Sequence, residues 1–254
     1  MHGLDGERAT PGWLLDELAN AGRENLDPAH VERYDGKMDA RAAEEIELLR
    51  LRGLDASSVV VDLGSGTGQF ALAAASLCRR VVAVDVSPQM RETLRRKRDE
   101  ADLCNLEIAD AGFLTYDHTG DRADVVYSRY ALHHLPDFWK VKALRRVRAM
   151  LRPGGIFRLW DVAYHFDPDE ADERVEAWCA PYGNEVDGEW ARWELEEHVR
   201  DEHSTFTWLL ETMFDRTGFG IEAADYSDDG FDARYVLRTK SQSTSKSSAG
   251  VAAR

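Results

Sequence analysis

Three glycines, Gly64, Gly66 and Gly68, stand between Asp62 and an alanine-rich run in VVVDLGSGTGQF, the densest chemical signal in the chain. A turn of this kind lets backbone approach a ligand closely, because glycine has no Cβ and enters left-handed conformations at no steric cost. Carboxylates recur after it: Asp62 leads into the turn, Asp85 ends VVAVD and Asp110 ends LEIAD. A carboxylate in such a place accepts hydrogen bonds from both hydroxyls of a ribose or from an exocyclic amine. Three acids would repel a pyrophosphate, and the dinucleotide pattern GxGxxG requires a glycine at 69, where this chain has Gln69. The set suits an adenosine ligand that carries a sulfonium and an amino group, with a nicotinamide dinucleotide as the weaker alternative.

A second group of residues has the chemistry of an acceptor site. His133 and His134 are adjacent, and histidine titrates near neutral pH, so His133 is a candidate general base. Asp161 in LWDVAYHF, flanked by Trp160 and Tyr164, can bind or deprotonate a substrate. His198 and Glu202 lie four apart and share a helical face, which makes them candidates for catalysis and substrate contact respectively. The same spacing can hold a metal, but solvated helices commonly pair His and Glu in this way, and no metal is expected.

Positioning these residues requires strands that end where the carboxylates stand. Val59 to Leu63, Val81 to Val86, Leu106 to Ala109, Asp124 to Ser128 and Ile156 to Val162 read as strands, separated by helical stretches and by the turn RPGG. The alternation predicts a mostly parallel sheet with helices on both faces, whose ligands bind beyond the carboxyl ends of the strands. Thr205 to Thr217 reads as a helix, and Ile221 to Tyr226 with Tyr235 to Arg238 as a closing antiparallel hairpin. The expected class is α/β, a Rossmann-like seven-stranded sheet with front helices and a helical cap inserted after the fifth strand.

The expected division is an N-terminal helical lid (1–52), a core (53–166), an acidic tryptophan-rich cap (167–204), the C-terminal part of the core (205–240) and a disordered tail (241–254). The cap carries 14 acids and three arginines between Asp167 and Glu202, together with Trp178, Tyr182, Trp190 and Trp193. That combination suggests an aromatic pocket, with Trp160, Tyr164, Trp178 and Glu202 on the acceptor, beneath an acidic rim that favours neutral or cationic molecules.

Composition narrows the partners. A formal charge of −15 over 254 residues argues against nucleic acid, whose binding depends on cations that neutralise phosphates. The three cysteines are widely spaced and odd in number, no apolar run approaches membrane-spanning length, and no secretory leader is evident. A cytoplasmic protein without a membrane or nucleic-acid partner is expected; its oligomeric state is not legible.

VVDLGSGTGQF, AVDVSPQM, EIADAGF, DVVYSRYALHHLPD and LRPGGIFRLWDV, in this order, resemble the successive motifs of class I S-adenosylmethionine-dependent methyltransferases, most closely the small-molecule type 11 branch that includes ubiquinone and menaquinone biosynthesis enzymes. The resemblance runs from about Tyr34 to Arg238. It implies S-adenosyl-L-methionine as cofactor, with Asp62, Gly64, Ser65, Gly66 and Gly68 at the methionine and ribose portions and Asp85 on the ribose hydroxyls. Asp110 and Ala111 would meet the adenine, Val86 and Met90 would line its apolar face, Ser128 would place its backbone near the amino group, and Tyr34 would reach over from a front helix. The fourth-strand SRYA lacks the proline-rich tetrapeptide of enzymes that methylate DNA bases. The implied reaction is in-line transfer of a methyl group to a small organic acceptor under the cap; the alternatives are a non-catalytic binding or accessory protein and a protein side-chain methyltransferase.

Overall fold

The computed structural model describes residues 11–22, 24–37, 41–183 and 191–240. The start of the expected lid, Trp190 of the cap and the expected disordered tail lie outside the described residues. Helices α1 (Pro28–Lys37) and α2 (Ala42–Arg50) precede strand β1 (Val59–Leu63). The chain then alternates through α3 (Gln69–Ala75), β2 (Arg80–Asp85), α4 (Pro88–Glu100), β3 (Leu106–Asp110), β4 (Ala123–Arg129), α5 (Asp137–Met150) and β5 (Leu151–Tyr164). Two inserted helices, α6 (Ala171–Cys179) and α7 (Arg192–Asp201), lead to a two-residue strand β6 (Thr205–Phe206), helix α8 (Thr207–Thr217) and the hairpin β7 (Phe219–Tyr226) and β8 (Asp232–Thr239).

The main sheet has the order β3-β2-β1-β4-β5-β8-β7, with β6 paired to the end of β5. β1 to β5 are mutually parallel wherever they pair, whereas β8 runs antiparallel to both β5 and β7. The chain builds outward from β1 to β3 and then returns to the other side of β1 for β4. The order therefore reverses between β1 and β4, the place where open sheets of this kind leave a crevice.

The sheet is buried on both faces, and every residue of β1 is buried. Val61 and Leu63 join Leu144, Val147, Leu210 and Phe214 of α5 and α8, while Val60 joins Phe70, Ala74 and Leu94 of α3 and α4. Successive side chains on a strand point to opposite faces, so one sequence stretch supplies both cores. Helix α4 starts as its sequence indicates: the Ser87 hydroxyl accepts from Met90 N at 3.2 Å and Pro88 occupies the first turn.

Two boundaries differ from expectation. RPGG is not a turn ahead of the strand but part of β5. Pairing moves from Ala123 with Leu151 to Val125 with Ile156, so the extra residues are absorbed as an irregularity, aided by a positive φ at Gly154. Thr205 and Phe206 are extended rather than helical, because they pair with Ala163 and Tyr164 as β5 runs beyond the sheet.

A buried ion pair ties the front helices to the sheet. Arg158 of β5 donates from Nε and Nη2 to Glu45 of α2 at 2.6 and 2.7 Å, and both residues are 4% exposed. Removing one partner would leave an uncompensated buried charge, a loss of about 3–5 kcal/mol. Urea unfolding of Glu45→Ala is expected to show that loss, and the double variant Glu45→Leu with Arg158→Met to recover most of it.

Candidate active site

The glycine turn folds as its composition dictates. Gly64 has φ +70°, and a Cβ there would stand 2.3 Å from the Ala131 Cβ; at Gly68, φ +85°, it would meet Leu94 at 2.0 Å. Only glycine lets β1, β4 and α4 close on this turn. Gly66 N donates to Asp85 Oδ2 at 2.7 Å, and Ser87 N donates to Oδ1 at 2.8 Å, so the carboxylate at the end of β2 braces the turn.

Two adjoining clefts, about 630 and 430 Å³ counted to their open mouths, meet above this turn and share Tyr34, Gly64, Gly66, Arg129 and Tyr130. Asp85, Val86, Met90 and Ala111 line the larger, and Asp62 and Ser65 the smaller. Burial pushes the Asp85 carboxyl up against the opposing donors, and burial beside Asp85 pushes Asp62 well up. Asp110 stands apart: its side chain is 72% exposed and pairs with Arg91 at 2.7 Å. Ser128 is fully buried, and the lining comes instead from Arg129, Tyr130 and Ala131.

Several lining residues escaped the sequence reading. Glu17 closes one wall, accepting from Leu114 N at 3.0 Å and from Thr115 Oγ1 at 3.3 Å, with burial raising its pKa. Its strand-less, turn-rich surroundings carry no motif that would reveal it. Asn25 also lines the cleft, its carbonyl accepting from Ser87 Oγ at 2.6 Å. Tyr130 adopts φ 48°, a left-handed conformation that costs a non-glycine residue on the order of 1–2 kcal/mol. Arg129 spreads over Trp160, 3.8 Å from the ring centroid, with Arg234 at 3.8 Å as well, and Arg129 Nε and Nη1 are buried without a hydrogen-bond partner.

Beyond the clefts, four predicted residues that are far apart in sequence converge. His133 Nδ1 lies 2.5 Å from Asp161 Oδ1, and Asp161 also accepts from the backbone of His133 and Val162, each at 3.0 Å. On its other side His133 Nε2 is 3.1 Å from Glu202 Oε2, which also touches His198 Nδ1. Burial alone would push the His133 imidazole down, but Asp161 and Glu202 outweigh it and hold its pKa up to about 10. His134 has the opposite fate: burial and the neighbouring His133 push it down to about 3. His134, not His133, is the histidine that lines the larger cleft.

His198 and Glu202 are not on a solvated face; their side chains are 12% and 15% exposed, because α7 turns this face onto the loop after β4. Of the expected aromatic residues, Trp160, Tyr164 and Trp178 pack inward, whereas Trp193 of the cap is 47% exposed. Trp178 stacks on Phe231 with centroids 4.3 Å apart, Tyr164 meets Phe166, Phe206 and Phe231, and Trp160 is 4% exposed between its two guanidiniums. Among the described residues, no helix is long and apolar enough to cross a membrane.

Known proteins share this architecture. A family described as a methyltransferase domain matches residues 60–155. An uncharacterized methyltransferase of Anoxybacillus flavithermus is 31% identical over 164 residues, 65% of this chain and 70% of that protein. Among solved structures, a SAM-dependent methyltransferase from Aquifex aeolicus superposes with a TM-score of 0.58 at 15% identity, covering 84% of this chain and 98% of that one. DhpI, solved as a complex with SAM and HEP, superposes with a TM-score of 0.58 at 21% identity, covering 89% and 99%. With the glycine turn, the strand-end carboxylates and the cleft at the reversal of strand order, these relationships lead to one conclusion: the chain belongs to the class I S-adenosylmethionine-dependent methyltransferases.

Proposed function

We propose that the chain transfers the methyl group of S-adenosylmethionine to a small organic acceptor that enters beside the 130–134 turn, next to the inserted helices. The observation that carries this reading is the continuity of the two clefts: one set of walls holds features for the cofactor, and the same walls include Tyr130 and His134.

The residues present fit the cofactor. Asp85 is held by two backbone donors and offers its remaining lone pairs to ribose hydroxyls. Val86 and Met90 supply apolar wall for the adenine, and Ala111 to Phe113 the opposite side. The buried, unpartnered Arg129 nitrogens and Ser65 Oγ are polar atoms in want of a ligand, and a guanidinium in a cleft is suited to the methionine carboxylate. When bound, S-adenosylmethionine supplies a methyl group already activated by its sulfonium.

The chain's task is then orientation and exclusion of water. Glu17, Ala21, Asn25 and Tyr34 line the larger cleft ahead of the sheet, and Asp35 accepts from Thr67 Oγ1 at 2.5 Å and from Gln69 Nε2 at 3.1 Å and also contacts Lys97. His134, kept neutral by burial, presents an uncharged imidazole to the acceptor, where it hydrogen-bonds a hydroxyl or amine without repelling a cationic one. His133 acts at one remove, held between Asp161 and Glu202, where it sets the conformation of the 130–134 turn. Protein side chains are the less favoured acceptors, since Tyr130 and His134 line the cleft wall beside His133, which is 5% exposed.

Three measurements test this reading. Asp85→Asn is expected to weaken binding of S-adenosylmethionine by about 10- to 100-fold in calorimetry, the range for hydrogen bonds to a charged group. Arg129→Met should weaken S-adenosylmethionine by about tenfold yet leave 5′-methylthioadenosine, which lacks the carboxylate, little changed; equal losses for both would remove Arg129 from the carboxylate site. Incubation with methyl-labelled cofactor and a fractionated cell extract should place the label in the small-molecule fraction, and label confined to protein would overturn the acceptor class.

A further inference from the structure

Among the described residues, one group of side chains has the composition and convergence of a metal site: His133, His198 and Glu202, whose donor atoms all lie within 4.8 Å of one another. We propose that these three residues bind a divalent ion of the zinc type, joining the inserted helix α7 to the turn after β4. The inference stands on this cluster alone and does not depend on the identity of the methyl acceptor.

The donor set is two imidazoles and one carboxylate, which suits zinc and its first-row neighbours better than the all-oxygen surroundings preferred by magnesium or calcium. Donors about 2.0–2.1 Å from a tetrahedral ion stand roughly 3.3 Å from each other. His133 Nε2 and Glu202 Oε2 are 3.1 Å apart, and His198 Nδ1 lies on the same oxygen. Glu202 Oε2 is thus the buried point on which two ring nitrogens from different elements converge, as donor atoms do around an ion.

The outer atoms of the rings strengthen the assignment. Histidines that hold a metal through one nitrogen almost always give the other to a carboxylate or another polar group. His133 turns Nδ1 to Asp161, itself fixed by two backbone donors, and His198 turns Nε2 to Ser204 Oγ at 2.9 Å. Both rings are thus oriented from behind, by different elements, with their remaining nitrogens facing Glu202. Binding displaces the proton that His133 Nε2 shares with Glu202, and that proton leaves to solvent. Three protein donors leave a fourth position on the ion, and the unpartnered His134 Nδ1, 3.9 Å from Glu202 Oε1, is a polar neighbour for a water held there.

The test uses tag-free full-length protein, stripped with chelator and titrated with Zn²⁺ and, for its visible spectrum, with Co²⁺. One ion per chain is expected, with the Co²⁺ bands of a four-coordinate nitrogen and oxygen site and a rise in Tm on loading. His198→Ala and Glu202→Gln should abolish both, and Ser204→Ala, which removes the partner of the outer nitrogen of His198, should weaken the ion by about tenfold. Wild-type protein that takes up neither ion, or uptake that survives both ligand variants, would overturn the proposal. If the ligand variants fail to fold, the wild-type titration and Ser204→Ala decide it. Binding of S-adenosylmethionine, measured on the stripped protein, keeps a failure here separate from a failure of the methyltransferase reading.

Discussion

Two carboxylates buried side by side, Asp62 and Asp85, set the terms on which the rest of the molecule is built. Each is disfavoured by burial, and the charge of Asp85 adds to the cost at Asp62. The parallel sheet makes the placement unavoidable, because strands that run the same way bring their carboxyl ends to a common edge. Backbone donors from the glycine turn and from the start of α4 offset part of that cost, so the turn cannot relax without exposing an unpaired acid.

The opposite end of the site is organised by a second buried charge system. His133, Asp161, Glu202 and His198 come from the turn after β4, from β5 and from α7 with its end, and no two of these elements are consecutive in the chain. Lys140 of α5 adds a further tie, contacting the carbonyl of His203, whose own N–H donates to His133 O at 3.0 Å. The inserted helices are therefore fixed to the core by polar groups together with the Trp178–Phe231 stack; α7 contributes Leu195 as its one buried residue.

Most of the fold was legible because the signals were local. Strands β1 and β2 announce themselves as β-branched runs, and the Ser87-Pro88 pair marks the start of α4. The glycine turn with Asp85, Val86 and Met90 was legible for the same reason, each lying within a few residues of a strand end. Glu17, Asn25 and Arg129 were not, since their places in the cleft follow from how residues 11–37 lie over the sheet and from a left-handed Tyr130, neither of which leaves a pattern. Asp110 shows what a motif position leaves out: its carboxylate pairs with the nearby Arg91, which lies 19 residues earlier and leaves no pattern beside it. The convergence of His133 with His198 and Glu202 was out of reach because spacing along one helix says nothing of which face turns inward.

Trp160 is held between the guanidiniums of Arg129 and Arg234, each 3.8 Å from the ring centroid, and its Nε1 donates to Asp232 at 3.2 Å. Both faces of the indole are thus occupied by cations, and one of those cations also forms a wall of the cleft. Anything anionic that draws Arg129 toward itself must loosen the stack on one side only. A shift of Arg129 in the cleft therefore acts on the indole as well.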